Sequence, residues 1–257
     1  MTNLVILHAG YQIKNSASVT AATTAGATGY EEEKLLSSDR FTNYKSSSAV
    51  TSFSYVLDNT AAISQNYLYI QRADLLARGV ENQFCYVTFE ADDNSSFTSP
   101  DSVTSDFSSL HNLIGPGAED FILETGFSST NRYSRLTIGD FSESYVVELG
   151  SILCGSWFDA GQEPSYNLSV DHKWQNSSAF KPQREISMSW RKVSKTVKAE
   201  FETYIDNYRS ISPVTLYDRN DYIFNGDKCV NCMLESVTYK IEPLDLWTID
   251  ANFVELI

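Results

Sequence analysis

The sequence predicts a mainly β protein: a β-sandwich of jelly-roll type, then a small antiparallel β domain carrying one amphipathic α-helix. Three observations carry this. Short apolar or alternating runs are separated by Ser, Asp, Asn and Gly along most of the chain, as in sandwich domains. The hydrophobic period changes within "ISMSWRKVSKTVKAEFETYIDNYRSISPVTL" at 186–216, from two residues to three or four, and only a helix gathers the later stripe onto one face. All four tryptophans, Trp157, Trp174, Trp190 and Trp247, follow residue 150. The charge divides there too: residues 1–150 carry 8 basic and 18 acidic side chains, net −10, and the rest 11 and 15, net −4. The expected organisation is an arm or linker over 1–34, a sandwich over 35–150 and a second β domain over 151–257.

Taken in order, "NSASVTAATTAGATG" at 15–29 is built of small residues that bury little area by themselves, which gives the arm. After "YEEEKLL" and a polar turn region come strand-like segments: "AVTSFSYVLD", "QNYLYIQRADL", "NQFCYVTFEA", "DFILETGF", "RYSRLTIGDF" and "ESYVVELGSILCG". In "NYLYIQ", Tyr67 and Tyr69 share one face and Leu68 and Ile70 the other, the pattern of a strand covered on both sides. Residues 97–118, with S-P and G-P-G signals, read as a long surface loop or insertion.

In the second half, "PSYNLSVDHKWQ" and "REISMSWRKV" alternate like antiparallel strands. Val193, Val197, Phe201, Tyr204, Ile205 and Tyr208 then form the helical stripe, so a helix is expected over 194–209 with Ser194 as N-cap and Pro213 beyond its exit. "PVTLYDR", "DYIFNGD", "CVNCMLESVTYKIEP" and "LWTIDANFVELI" return to strands, with "NGD" as a hairpin turn.

The totals exclude some functions. With 257 residues, 42% hydrophobic and 20% charged, the chain has the composition of a folded globular protein. A net charge of −14 argues against nucleic-acid binding, which depends on basic side chains at phosphates. "MTNLVILHAGYQIKNSAS" lacks the basic region and apolar length of a secretory signal, and no window approaches the ~18 apolar residues of a membrane span. The expected product is soluble and made in the cytoplasm. Its four cysteines are too few for a disulfide scaffold.

Reaction chemistry leaves no signature. There is no G-x-S-x-G elbow, Walker loop, G-x-G-x-x-G or H-E-x-x-H. His8, His111 and His172 are scattered, and Asp171 beside His172 would point to the opposite face of a strand. "ADD" at 91–93 and "AED" at 118–120 lack the ligand spacing of a calcium loop. "CVNC", Cys229 and Cys232, has zinc or redox spacing but lacks a second ligand pair, since Cys85 and Cys154 stand alone in apolar contexts. No cofactor is expected.

"EKLLSSDRFTNYKSSSAVTSFSYVLDNTAAISQNYLYI" resembles the opening of galactose-binding-like (discoidin-type) sandwich domains in bacteriophage tail proteins, over roughly residues 30–150, with Tyr44 where that family usually has a tryptophan. From Leu149 to Ile257 the chain is similar to the small β module of tail-tube and distal-tail proteins, on "SPVTLYDR", the Cys-bearing strand and "LWTIDANFVELI". The resemblance implies a non-enzymatic tail-tip or baseplate component of the virion. It would form a homo-oligomeric ring, a hexamer or a trimer, with tail tube, hub and fibre proteins as partners. Some tail-tip proteins of lambda-like phages hold an iron–sulfur cluster through four cysteines, a pattern this spacing does not recover. The rival expectation is a carbohydrate-binding module touching glycan through Tyr44, Trp157, Trp174 or the 97–118 loop. A third is a jelly-roll glycoside hydrolase, whose two acids would come from distant strands.

Overall fold

A computed structural model describes residues 4–8, 18–22, 25–36, 43–70, 86–106, 121–139, 144–150, 152–171, 183–206, 214–219 and 229–255. The chain divides into two compact units, Tyr11–Ser156 and a discontinuous one of Met1–Gly10 with Trp157–Ile257. It is mainly β with antiparallel sheets, and one α-helix lies among the described residues.

The expectation of a free arm over 1–34 is corrected at three places. Strand β1 (Leu4–His8) belongs to the discontinuous unit. Its "LVIL" run is buried on both faces, so the continuous apolar sequence is that of an enclosed strand. Strand β2 (Ser18–Ala22) pairs in the sandwich, and residues 25–30 are hydrogen-bonded to 45–47 there.

The sandwich continues with β3 (Tyr44–Lys45), β4 (Phe53–Ser64), β5 (Tyr67–Ile70), β6 (Tyr86–Asp92), β7 (Asp101–Asp106), β8 (Phe121–Glu124), β9 (Thr130–Gly139), β10 (Glu148–Leu149) and β11 (Ile152–Gly155). One sheet has the order β2-β4-β9-β6-β7, the other β11-β5-β8, and β3 and β10 form a short ribbon. Period-two alternation supplies the core: Phe53, Tyr55 and Leu57 from β4, Val87 and Phe89 from β6, and Leu136 and Ile138 from β9. They pack with Leu68 and Ile70, Phe121 and Leu123, and Ile152 and Cys154 from the smaller sheet. Part of the expected 97–118 loop is strand β7, paired with β6, and residues 107–118 lie outside the described residues.

The other unit contains β12 (Ser165–Asp171), β13 (Gln183–Val193), α1 (Lys195–Asp206), β14 (Val214–Asp218), β15 (Cys229–Glu242) and β16 (Leu246–Glu255). Its sheet runs β1-β14-β15-β16-β13-β12. The expected N-cap is present, because the Val197 amide donates to Ser194 Oγ at 3.2 Å. Phe201 and Ile205 are fully buried against Trp190, Ile249 and Phe253, with Val197 and Tyr204 partly buried beside them. The Tyr204 hydroxyl donates to the Ile6 carbonyl at 2.8 Å, which ties α1 to β1. Lys198 sits over the Tyr239 and Trp247 rings, at 5.0 and 4.9 Å, and pairs with Glu202. Tyr208 and "NGD" lie outside the described residues.

Candidate functional site

The sandwich has two chemically different ends. The short link from Ser64 to Tyr67 places those residues at one end, so Phe53 and Ile70 mark the other. The Ser64 end also carries Asp58, Asp92 and Tyr133, which share one register row.

At that end the carboxylates are occupied by the chain itself. Arg132 donates twice to Asp58, at 2.8 Å each. Asp92 accepts from the Asn94 and Ser99 amides at 3.0 and 3.1 Å, and Asp93 from the Arg132 amide at 3.1 Å. Asp101 accepts from Ser129 and from Asn131. Hydrogen bonds from Arg132, and then from the Thr60 amide, hold the Asp58 carboxyl below its usual range, and the Asn94 and Ser99 amides do the same for Asp92. Asp92 and Asp93 are thus turn-forming side chains, while 118–120 lies outside the described residues.

The Phe53 end presents a different set. The turn from Gly26 to Tyr30 is zipped to β3, with the Ala27 amide on the Lys45 carbonyl at 2.8 Å and the Lys45 amide on the Tyr30 carbonyl at 3.3 Å. Gly26 permits the approach, since a Cβ there would meet the Tyr30 carbonyl and lie 2.6 Å from Glu31 Cα. Tyr30 is left 43% exposed. On the adjoining ribbon, Asn43 Nδ2 donates to Glu148 Oε1 at 3.2 Å, and Lys45 Nζ lies 3.6 Å from Glu148 Oε2. Glu31 accepts the Gly29 amide at 2.7 Å, and backbone amides hold its carboxyl below the usual range. An exposed aromatic ring is thus carried on a turn whose backbone is bonded to the ribbon that holds an amide, an ammonium and a carboxylate. This set can hydrogen-bond hydroxyl groups and stack on an apolar face.

Other sequence-based candidates fare differently. Tyr44 is completely buried, 5.4 Å from the Phe53 ring centroid, and cannot reach a ligand. Trp157 is half-buried in the other unit, with the Arg219 guanidinium 4.5 Å from its ring centroid. Trp174, His111, His172 and Cys85 lie outside the described residues. Cys229 and Cys232 are three apart on β15 and face opposite sides of the sheet, so they do not converge on one ion. The Cys232 thiol is buried, and that burial raises its pKa, which suits a core residue better than a thiolate ligand. Sequence reasoning missed Tyr30, whose signal was the turn "GATGY" ahead of a charged run.

No family model matches the chain, and no curated protein sequence does. Among solved structures it is similar to the C-terminal domain of a chitobiase from Bacteroides fragilis, at 19% identity over 57% of this chain and 97% of that one, TM-score 0.42. It is also similar to CBM32-1 from a family 31 glycoside hydrolase of Clostridium perfringens, at 10% identity over 56% and 97%, TM-score 0.40. The D221A mutant of a GH29 fucosidase from Ruminococcus gnavus, in complex with fucose, matches at 14% identity over 56% of this chain and TM-score 0.41. The match spans about a quarter of the fucosidase chain, 26%.

Proposed function

We propose that the sandwich unit is a non-enzymatic, galactose-binding-like carbohydrate-binding module that engages glycan at its Phe53 end. The observation that supports this is the exposed Tyr30 ring on a turn whose backbone is hydrogen-bonded to β3, on the ribbon that carries Asn43, Lys45 and Glu148. A ring in this setting stacks on the apolar face of a sugar while the polar groups take its hydroxyls. The set offers no nucleophile held by a base, so its chemistry is recognition. A glycan array probed with the full chain tests the reading, followed by calorimetry on the best hit. Tyr30→Ala is expected to weaken that binding about tenfold or more. An array with no binder, or a hit indifferent to Tyr30, would remove the proposal.

A second reading is a structural adaptor in a phage tail tip or baseplate, a ring between the tail tube and the hub or fibres. What favours it is the exposed apolar tip of the β15–β16 hairpin, with Ile241 and Leu244 open to solvent. Mass spectrometry of purified virions would test it, and absence of the chain from virions would sink it.

A further inference from the structure

The β15–β16 hairpin ends in the turn Pro243–Asp245, where Leu244 has φ 67 and ψ 32 and Asp245 has φ 57. A turn with two successive left-handed residues suits Asn-Gly. A leucine there carries backbone strain, yet Leu244 is 91% exposed and Ile241 beside the turn is 68% exposed. Strain that serves no internal packing points outward, to something the side chain meets.

The charges around this tip carry both signs. Glu242 and Asp245 flank Leu244. On the neighbouring strand β13, a bulge between Trp190 and Val193 leaves Lys192 at φ 60 and both Arg191 and Lys192 exposed. Lys195, at the start of α1, is exposed as well. Val193 pairs with Trp247 and Glu242 with Leu246, so this basic corner lies at the same end of the sheet as the acidic tip. Three cations within five residues are conspicuous in a chain of net charge −14. A patch that holds an apolar tip, carboxylates and cations together is complementary to itself.

We propose that this end of the sheet is a self-association surface whose partner is a second copy of the chain. The Leu244 tip of each copy covers Ile241 of the other, and Glu242 and Asp245 meet Arg191, Lys192 and Lys195 across the contact. This does not depend on the glycan reading, and because the contact is mutual it closes a two-fold dimer, apart from the ring of the assembly reading.

Sedimentation velocity of the full chain, up to about 100 μM, tests the proposal. The wild type is expected to associate reversibly. Leu244→Gly is expected to weaken association about tenfold or more while raising the melting temperature, because glycine relieves the left-handed turn. Lys192→Glu is expected to weaken it similarly, and adding Asp245→Lys in the same chain to restore it. A wild type that stays monomeric, a Leu244→Gly chain that associates as tightly, or a double exchange no better than the single one would each overturn the proposal. Glycan binding should be unchanged in Leu244→Gly, which separates failure here from failure at Tyr30.

Discussion

Ser134 sits at the centre of a polar thread inside the sandwich, donating to Gln65 Oε1 at 2.7 Å and accepting from Asn59 Nδ2 at 3.0 Å. Tyr55 shares that interior, but its hydroxyl is buried with no hydrogen-bond partner among the described residues. Burial, and then Cys154 nearby, push its phenol pKa up. An unmade buried hydrogen bond costs about 1–3 kcal/mol. Tyr55→Phe is therefore expected to stabilise the protein by about 1 kcal/mol, measured by urea unfolding; a clear loss would show that the hydroxyl has an interior partner such as water. Asp58 and Asp92 set an acid limit. Their folded pKa values lie below the unfolded ones, so their contribution is present above about pH 4 and is lost as pH falls through the lowered folded values. Asp58→Asn should flatten that limb in a pH series of thermal melts, and an unchanged limb would contradict the assignment. The same scale shows where sequence reading stops. The turn "DRFTNYKSS" drew attention to Tyr44, but a two-residue strand has no period to tell which side faces the core. Tyr30 owes its exposure to a turn whose geometry rests on contacts with β3, which local sequence does not encode.

Among elements, α1 was the most legible, because a stripe of spacing three and four admits a single conformation and Ser194 marks its start. Phe201 touches Phe158, Trp190 and Tyr239, with ring centroids 5.0, 5.6 and 6.4 Å away. Phe201→Ala is expected to cost about 3–5 kcal/mol, and Ser194→Ala about 0.5–2 kcal/mol, both measured by tryptophan fluorescence during denaturation. A loss below about 1 kcal/mol at Phe201 would mean that the helix packs elsewhere. The strands of the sandwich were legible by alternation. β1 was not, because its four apolar residues precede a long small-residue stretch that dominates the composition of 1–34. β7 was hidden for a related reason: "DSVTSD" pairs along an edge, where backbone hydrogen bonds hold a strand that carries little apolar signal.

At the scale of the whole molecule, every tryptophan lies in the discontinuous unit, so intrinsic tryptophan fluorescence reports on that unit alone. Deleting Met1–Gly10 removes β1 and leaves β14 as the edge strand, paired with β15 alone. The tryptophan-detected midpoint is then expected to drop, while a probe placed in the sandwich keeps its own. Equal drops at both probes would mean that the units unfold as one. Connectivity is what makes this separation measurable, and the sequence concealed it, since no local pattern says that residue 4 will meet residue 218. The same pairing sets a timetable for synthesis. The opening strand leaves the ribosome about 210 residues ahead of its mate, a delay of roughly 10–40 s at ordinary elongation rates. Throughout that interval the interposed domain can finish folding while a short greasy segment waits in solvent. A chaperone that shields nascent apolar stretches would therefore be needed most at the first few residues, and starving cells of it should leave the later-made half misfolded while sparing the earlier one.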